Sequence, residues 1–245
     1  MQHEIIKNSI IMKRFMKAIA AIMLTVVVVC AAGCNKNNEP NNGTYNGHEY
    51  VDLGLPSGTL WATNNVGAGM PEAYGYFFAW AETAPKTTYD WNTYRYCRDD
   101  SNQLTKYCNN VSYGYNGFTD NLTILQSDDD VATANWGDGW RIPTDNEWDE
   151  LIAYCTQTWT TCNGVNGRLF IAPNGNSLFL PAAGCCDLSS LSSAGSYGGY
   201  WSSSLRTDYP GRAWYFYFYL NDFSLGSSYR YLGRSVRPVR SSAKK

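Results

Sequence analysis

The chain has 245 residues, of which 44% are hydrophobic and 16% are charged, and its 19 basic and 21 acidic residues leave a net charge of −2. This length and apolar content are enough for one domain with a buried core. The mildly acidic balance argues against nucleic acid as the main partner, all the more because four of the basic residues lie within residues 1–33.

The N-terminal segment has the features of a bacterial lipoprotein signal peptide. Met12 to Lys17 is basic, and the 16 residues from Ala18 to Gly33 are almost wholly apolar. A membrane span needs about 20 residues, so this run fits the hydrophobic region of a signal peptide better. It ends in Ala31-Ala-Gly-Cys34, which resembles a lipobox. We therefore expect residues 1–33 to be removed and the cysteine to be acylated, with ordinary secretory cleavage near Ala32 as the alternative.

The remainder divides into a tether, residues 34–44, one folded domain, residues 45–240, and a short tail, residues 241–245. Asn35 to Gly43 is rich in asparagine, with a single proline and no other apolar residue, which is typical of a flexible linker. We expect an exported protein that is held by its lipid in the cell envelope, at the outer membrane.

Six cysteines remain in the predicted domain, an even number that permits disulfides in an exported protein. Cys97 and Cys108 flank a polar segment and each follows a tyrosine, so we expect them to face each other across a hairpin as a disulfide. A metal site is not expected, because the spacings contain no Cys-x-x-Cys and His48 is the only histidine after the signal peptide. The sequence leaves open the pairing of the other four, which are Cys155, Cys162, Cys185 and Cys186.

The first part of the domain predicts strands followed by a long loop. Tyr45 to Leu53 and Thr59 to Thr63 have the composition of two strands joined by the turn Gly54 to Gly58, and therefore of a hairpin. Tyr74 to Trp80 is expected to be extended and packed. Residues 84–121 show no clear period, and we interpret them as a surface excursion that the disulfide holds.

Two helices are predicted in the middle of the chain. Ser127 to Ala134 is expected to be a short helix that Ser127 caps, with the aspartates at its positive end. A calcium loop is the alternative for these aspartates, but the alternating oxygen ligands and the later glutamate are missing. Thr144-x-x-Glu147 is a capping box that opens an amphipathic helix to about Tyr154. The helix should bury Trp148, Leu151 and Ile152 and carry Glu147, Asp149 and Glu150 as surface charges rather than as catalytic acids.

Two more strands follow before the aromatic segment. Arg168 to Ala172 is predicted to be a strand, and Asn176 to Gly184 a buried strand that closes at Pro181, with Pro173 to Gly175 as the turn between them. Ser189 to Gly199 is small and is expected to be flexible.

The most unusual stretch is Tyr197 to Leu232, where 13 of 36 positions are aromatic and two are acidic. With a period of two, the strand Ala213 to Leu220 places Trp214, Phe216, Phe218 and Leu220 on a core face and the tyrosines on the other. Asn221-Asp222 and Gly226 to Ser228 are turn residues. Tyr229 to Val239 is expected to pair back as the second strand of a C-terminal β-hairpin.

Seven blocks of sequence recur in a known order over essentially Tyr45 to Arg240. They are Tyr50 to Thr63, Asn65 to Ala68, Tyr76 to Thr83, Trp136 to Thr144, Phe179 to Gly184, Tyr200 to Ser204 and Ser235 to Val239. Together they resemble the Fibrobacter succinogenes major paralogous domain family, whose members are typically exported proteins, often lipoproteins, most of them without an assigned activity.

The Trp-Arg-Ile-Pro-Thr block is also similar, more distantly, to the formylglycine-generating-enzyme-like branch of the C-type lectin fold. The resemblance implies an α+β domain with antiparallel strands, one main helix, long loops and last strands that return beside the first. The enzymes of this branch use cysteines near the C-terminus, and here none follows Cys186. No cofactor is expected, and the protein is not expected to be an enzyme, because a hydrolytic triad would have to use His48.

A binding module explains more of the composition, because tyrosine, serine, glycine and arginine are the residues that binding surfaces favour. The alternative is that the tyrosines only cover a small β core. C-type-lectin-like domains of this kind also resemble the targets of diversity-generating retroelements, which would diversify this segment. We expect an unknown protein or glycan as ligand, with a structural envelope or pilus-associated subunit as the alternative function. The predicted binding residues are Arg206, Asp208, Tyr209, Arg212, Tyr215, Asn221, Phe223, Tyr229 and Tyr231.

Overall fold

The computed structural model describes residues 42–242. The predicted signal peptide, the lipidation site Cys34, most of the tether and residues 243–245 of the tail lie outside the described residues. The last residues of the tether, Gly43 and Thr44, are part of the first strand.

Antiparallel β-sheet with few helices forms the domain. The two α-helices between residues 42 and 242 are α1 (Val131–Trp136) and α2 (Asp145–Tyr154). The strands of the same range are, in chain order, β1 (Gly43–Tyr45), β2 (His48–Asp52), β3 (Thr59–Ala62), β4 (Thr156–Cys162), β5 (Val165–Ile171), β6 (Ser177–Pro181), β7 (Cys185–Asp187), β8 (Ser190–Ser192), β9 (Gly198–Leu205), β10 (Arg212–Phe218), β11 (Phe223–Tyr229) and β12 (Val239–Ser241).

These strands form three sheets, with the orders β1-β2-β3-β12, β4-β5-β6 and β11-β10-β9, and one short hairpin, β7-β8. The predicted hairpin at the start is confirmed as β2 and β3, with Val51 opposite Trp61. β12 pairs with β3 and places Val239 opposite Trp61. The last strand of the described residues therefore lies beside the first hairpin, as the resemblance implied.

The capping box of α2 is confirmed, and it is more deeply involved in the fold than the sequence suggested. The Thr144 side chain accepts from the Glu147 backbone N–H, and the Glu147 carboxylate accepts from the Thr144 N–H. Glu147 is also held by both terminal nitrogens of Arg141, each at 2.6 Å. The expectation that Glu147 is a plain surface charge is therefore wrong, since it joins α2 to the strand-like segment before it.

The short helix is capped differently from the prediction. Ser127–Asp129 forms a 3-10 turn, and Asp130 is the N-cap of α1, accepting from the N–H groups of Ala132 and Thr133. Its second carboxylate oxygen accepts from the Ile142 N–H at 2.8 Å. Asp130 rather than Ser127 caps the helix because it is buried and accepts hydrogen bonds from three backbone N–H groups.

The C-terminal hairpin exists, but its second strand and its turn differ from the prediction. β10 pairs with β11 from Arg212 opposite Tyr229 to Phe218 opposite Phe223. The turn is therefore residues 219–222, and Gly226 to Ser228 lies inside a strand. Most of Tyr229 to Val239 does not continue this hairpin, because its backbone pairs with other segments, through Gly233 with Cys186, Arg234 with Phe78 and Ser235 with Tyr200.

The prediction that alternate residues of β10 form its core face is confirmed only in part. Phe216 and Phe218 are fully buried beside Trp148 of α2, whereas Leu220 is 57% exposed and Trp214 is half-buried. Leu220 lies in the turn, beyond the end of the strand. Trp214 lies where the pairing with β9 shifts register, so that the sheet does not carry it into the core.

The predicted disulfide between Cys97 and Cys108 is not formed, and both thiols are free. Cys97 faces Leu104 instead, because the chain turns between them, and its Sγ donates to the Trp91 carbonyl at 3.1 Å. Cys108 donates to the Asn110 carbonyl at 3.2 Å. Residues 84–121 are also not a simple surface loop, since Tyr94, Leu104 and Tyr107 in this excursion are buried.

Candidate ligand-binding surface

Six half-buried side chains meet at the base of the C-terminal hairpin and form what we call the aromatic row. Its members come from three parts of the chain: the excursion, the loop before β10 together with the first residue of β10, and the end of β11 together with the residues just after it. They are Trp91, Tyr113, Tyr209, Arg212, Tyr229 and Tyr231.

Arg212 lies at the centre of the aromatic row. It is opposite Tyr229 in the register of β10 and β11, so both side chains extend from the same face of the sheet. Its guanidinium carbon lies 4.5 Å from the centroid of the Tyr229 ring and 5.3 Å from that of Tyr209. Two ring contacts at such distances hold a cation by the attraction of the ring faces.

The rings continue on both sides of this cation. Tyr229 and Tyr231 are parallel, with an interplanar angle of 12° and centroids 5.8 Å apart. Trp91 meets Tyr231 edge-on at 5.1 Å. At the other end, Tyr113 meets Tyr209 edge-on at 5.0 Å. The contacts thus run without a break from Trp91 to Tyr113.

The polar groups of the aromatic row are left without partners. Within residues 42–242, the Arg212 guanidinium makes no hydrogen bond or ion pair, and its Nε is buried without an acceptor. The hydroxyls of Tyr113, Tyr209, Tyr229 and Tyr231 have no hydrogen-bond partner in that range either. The core tyrosines differ, since Tyr94 donates to the Trp80 carbonyl at 2.9 Å and Tyr200 to the Pro181 carbonyl at 2.7 Å.

Arg230 fixes the position of the aromatic row from behind. It is fully buried and donates to the carbonyls of Pro210 and Tyr107, each at 3.1 Å, and to that of Lys106 at 3.0 Å. Pro210 belongs to the loop that carries Tyr209, and Lys106 belongs to the excursion. One side chain therefore ties together the two loops that supply the row.

The loop before β10 is held by a second arginine. Arg206 binds both carboxylate oxygens of Asp208, at 2.8 and 2.9 Å, and donates to Ser227 of β11 at 2.6 Å. Its hydrogen bonds lower the pKa of Asp208. Arg206 and Asp208 thus satisfy each other and position the loop beside Arg212.

The electrostatic character changes along the aromatic row. Burial raises the pKa of Tyr231, and the nearby carboxylates of Asp187 and Asp90 raise it further. The Tyr231 end is therefore the more negative one, and Arg212 makes the centre positive.

The nine sequence-predicted residues fall into three places. Arg206, Asp208, Tyr209, Arg212, Tyr229 and Tyr231 are brought together as described above. Tyr215 lies on the opposite face of β10, with the Arg234 guanidinium 3.8 Å from its ring centroid. Asn221 and Phe223 lie at the far end of the hairpin, where Phe223 packs against Arg168 at 4.7 Å.

Sequence reasoning missed Trp91 and Tyr113, which complete the two ends of the aromatic row. Both lie in the excursion, whose composition is uniformly rich in tyrosine and polar residues. No period or spacing separates them from their neighbours, so contacts over more than 90 residues of chain decide their role.

A concave alternative is a cleft of about 490 Å³ whose lining includes Trp140, Arg141, Ile142 and Thr144. Asp130 lies in it, and burial raises the pKa of its carboxyl to about 6, but its oxygens already cap α1. Arg141 is paired with Glu147. His48 lies outside this cleft, stacked on Trp136 with centroids 3.8 Å apart. Ser127 and Ser203 line the cleft but no histidine does, so a serine–histidine pair is not assembled there.

No family model, curated protein or solved structure matches the chain. Among residues 42–242, no three His, Cys, Asp or Glu side chains are grouped so that they could hold a metal ion. The helices of the same range are too short or too polar to cross a membrane.

Proposed function

We propose that this protein is a lipid-anchored, non-enzymatic protein of the bacterial cell envelope that binds an external ligand through the aromatic row. The observation that carries the proposal is the contrast in hydrogen bonding. Tyrosines that only cover a core have their hydroxyls satisfied, as Tyr94 and Tyr200 do, whereas those of the row have exposed area and free polar groups. Aromatic and arginine side chains of this kind dominate the energy of binding interfaces.

The finer fold proposed for the domain is C-type-lectin-like. Three features support it: β12 returns beside β3, the main helix α2 begins at the capping box, and long loops separate the sheets. In such an arrangement the loops and the C-terminal hairpin present the binding residues. This supports a role for the aromatic row and does not identify the ligand.

Binding is tested by presenting the protein to a glycan and host-protein array. The triple variant Tyr209→Ala, Tyr229→Ala, Tyr231→Ala should lose ligands that the wild type holds. Tyr154→Ala, at an exposed tyrosine of α2 outside the row, is the matched control and should bind normally. Phe223→Ala, at the far end of the hairpin and outside the row, tests whether the hairpin tip also contributes to binding. If the wild type holds no ligand, or if the folded triple variant binds as the wild type does, the proposed function is wrong.

The lipid anchor is tested separately at Cys34. Cys34→Ser should leave the precursor uncleaved or release the protein from the membrane, since the acylated cysteine is the anchor. Unchanged mature size together with unchanged partitioning into detergent would contradict lipidation.

A structural envelope or pilus-associated subunit is the second candidate, and one observation favours it. β11 is the edge strand of its sheet, and its seven residues include neither a charge nor a proline. Unprotected edges of this kind accept strands from other chains. Ser224→Lys should abolish assembly in solution if β11 pairs between molecules, and an unassembled wild type would exclude this function.

Diversification of the C-terminal segment by a retroelement is part of the proposal. A reverse-transcriptase gene and an imperfect repeat of the segment beside this gene would support it. A genome that contains neither would exclude it.

A further inference from the structure

We propose that the ligand of the aromatic row is an acidic sugar chain, whose carboxylate or sulfate binds Arg212 and whose sugar rings pack on Tyr229, Tyr231 and Trp91. This inference rests on the proposed binding function and names the chemical class of the ligand.

The anionic group follows from the state of Arg212. A guanidinium presents a planar fork of N–H donors that matches carboxylate and sulfate oxygens. Arg206 binds Asp208 and Ser227, and Arg230 binds three carbonyls and a tyrosine hydroxyl. Arg212 packs on two rings and binds no acceptor in the described part of the chain, and because its Nε is buried, its two terminal nitrogens are the donors that a ligand can reach. Its fork is therefore preorganised for an acceptor that the protein itself does not supply.

The sugar follows from the groups that surround this fork. Phenol hydroxyls donate and accept hydrogen bonds, as sugar hydroxyls do, and four of them are free along the aromatic row. The half-exposed ring surfaces between them are apolar and match the C–H faces of sugar rings. A ligand with alternating apolar faces and hydroxyls satisfies both kinds of surface, whereas a purely apolar ligand would leave the hydroxyls and the guanidinium without partners.

The charges around the aromatic row also predict the direction in which the sugar chain is bound along it. Asp90 directly precedes Trp91, and Asp187 follows Cys186, which bridges to Gly233 two positions after Tyr231, so both carboxylates lie at this end of the row. A second anionic group would be repelled there, so the anionic unit belongs at Arg212 and neutral units or hydroxyls belong at Tyr231 and Trp91.

The test measures binding of oligogalacturonate by calorimetry, beside the same oligosaccharide after reduction of its carboxyl groups. Dextran sulfate and dextran form a second pair, which distinguishes sulfate from carboxylate as the anionic group. We expect the acidic member of at least one pair to bind, and its neutral counterpart to bind at least tenfold more weakly, because charge-assisted hydrogen bonds are lost.

The role of Arg212 in binding is tested with two substitutions and a matched control. Arg212→Gln should weaken binding about tenfold or more, and Arg212→Lys should restore only part of the loss, because lysine keeps the charge but not the fork. Arg98→Gln removes an exposed arginine that also lies on a tyrosine ring, Tyr115 at 5.5 Å, but outside the row. It should leave binding unchanged, and melting temperatures of all variants establish that they are folded.

Each remaining outcome counts against a specific part. Equal binding of acidic and neutral sugars, or an Arg98→Gln loss as large as that of Arg212→Gln, overturns the assignment to Arg212. If the wild type binds none of these sugars but holds a protein on the array through the row, the sugar inference fails and the proposed function stands. If it binds nothing at all, both fail.

Discussion

Arg212 and Arg230 lie 18 positions apart in the sequence, and each packs on aromatic rings, yet they do opposite things. Arg230 is fully buried against Trp80, with its donors directed to Tyr94 and three backbone carbonyls. Arg212 is half-buried, and its donors have no acceptor between residues 42 and 242. The same residue type therefore serves as an anchor of the fold in one place and as an open binding group in the other.

The difference teaches how to separate scaffold from surface in a segment where composition does not. Aromatic and arginine residues are frequent both among the scaffold residues and among the surface residues of this segment. Most buried polar groups are satisfied by the protein, because leaving one unpaired costs about 1–3 kcal/mol. A group that the fold leaves unsatisfied and partly exposed is bound by water or by a ligand.

The largest effect is expected at the anchor. Arg230→Met should lower the free energy of unfolding by about 3–5 kcal/mol, because a buried charged hydrogen-bond network loses its donor and three carbonyls stay buried. Arg212→Met, the matched change, should cost less than about 1 kcal/mol, as for a surface position. Urea unfolding of both variants measures this. Similar losses for the two would show that Arg212 is also an anchor.

A second comparison separates the two aromatic residues that strand parity placed on one face of β10. Phe216→Ala should destabilise the domain by about 3–5 kcal/mol, since it removes a ring from the core beside Trp148. Trp214→Ala should cost only about 1–2 kcal/mol, because the side chain is half-buried, with the Arg206 guanidinium carbon 5.9 Å from its ring centroid. Equal losses of unfolding free energy in the two variants, measured by chemical unfolding, would show that Trp214 is a core residue.

The smallest changes give the sharpest comparison, because only one hydroxyl is removed. Tyr107→Phe should cost about 1–3 kcal/mol, since its hydroxyl donates to Asp129 at 2.6 Å and accepts from the Gln126 N–H at 3.0 Å. Tyr231→Phe should leave stability within about 0.5 kcal/mol, because its hydroxyl has no partner in the described chain. Thermal unfolding of the pair decides this. A destabilised Tyr231→Phe would mean that the row is scaffold.

Local patterns determined what the sequence by itself could predict. Thr144 and Glu147 form the capping box because both partners lie within one helical turn, and the alternation in β10 buries Phe216 and Phe218 because a strand has a period of two. The general location of the candidate site was also accessible, since its density of tyrosine and arginine is a property of composition. Six of the nine predicted residues lie together for that reason.

Only the tertiary structure decided which of these residues are open and which are anchors. Arg230 finds its acceptors in Lys106 and Tyr107, more than 120 positions away, so no local pattern reveals that its donors are used. The same holds for Trp91, which reaches Tyr231 across the domain, and for Cys97, whose partner in the backbone is Leu104 rather than Cys108. Hydrogen bonds and ring contacts are short-ranged in space but can join any two positions of the chain. Burial and satisfaction therefore follow from the packing of distant segments and not from the spacing of residues along one of them.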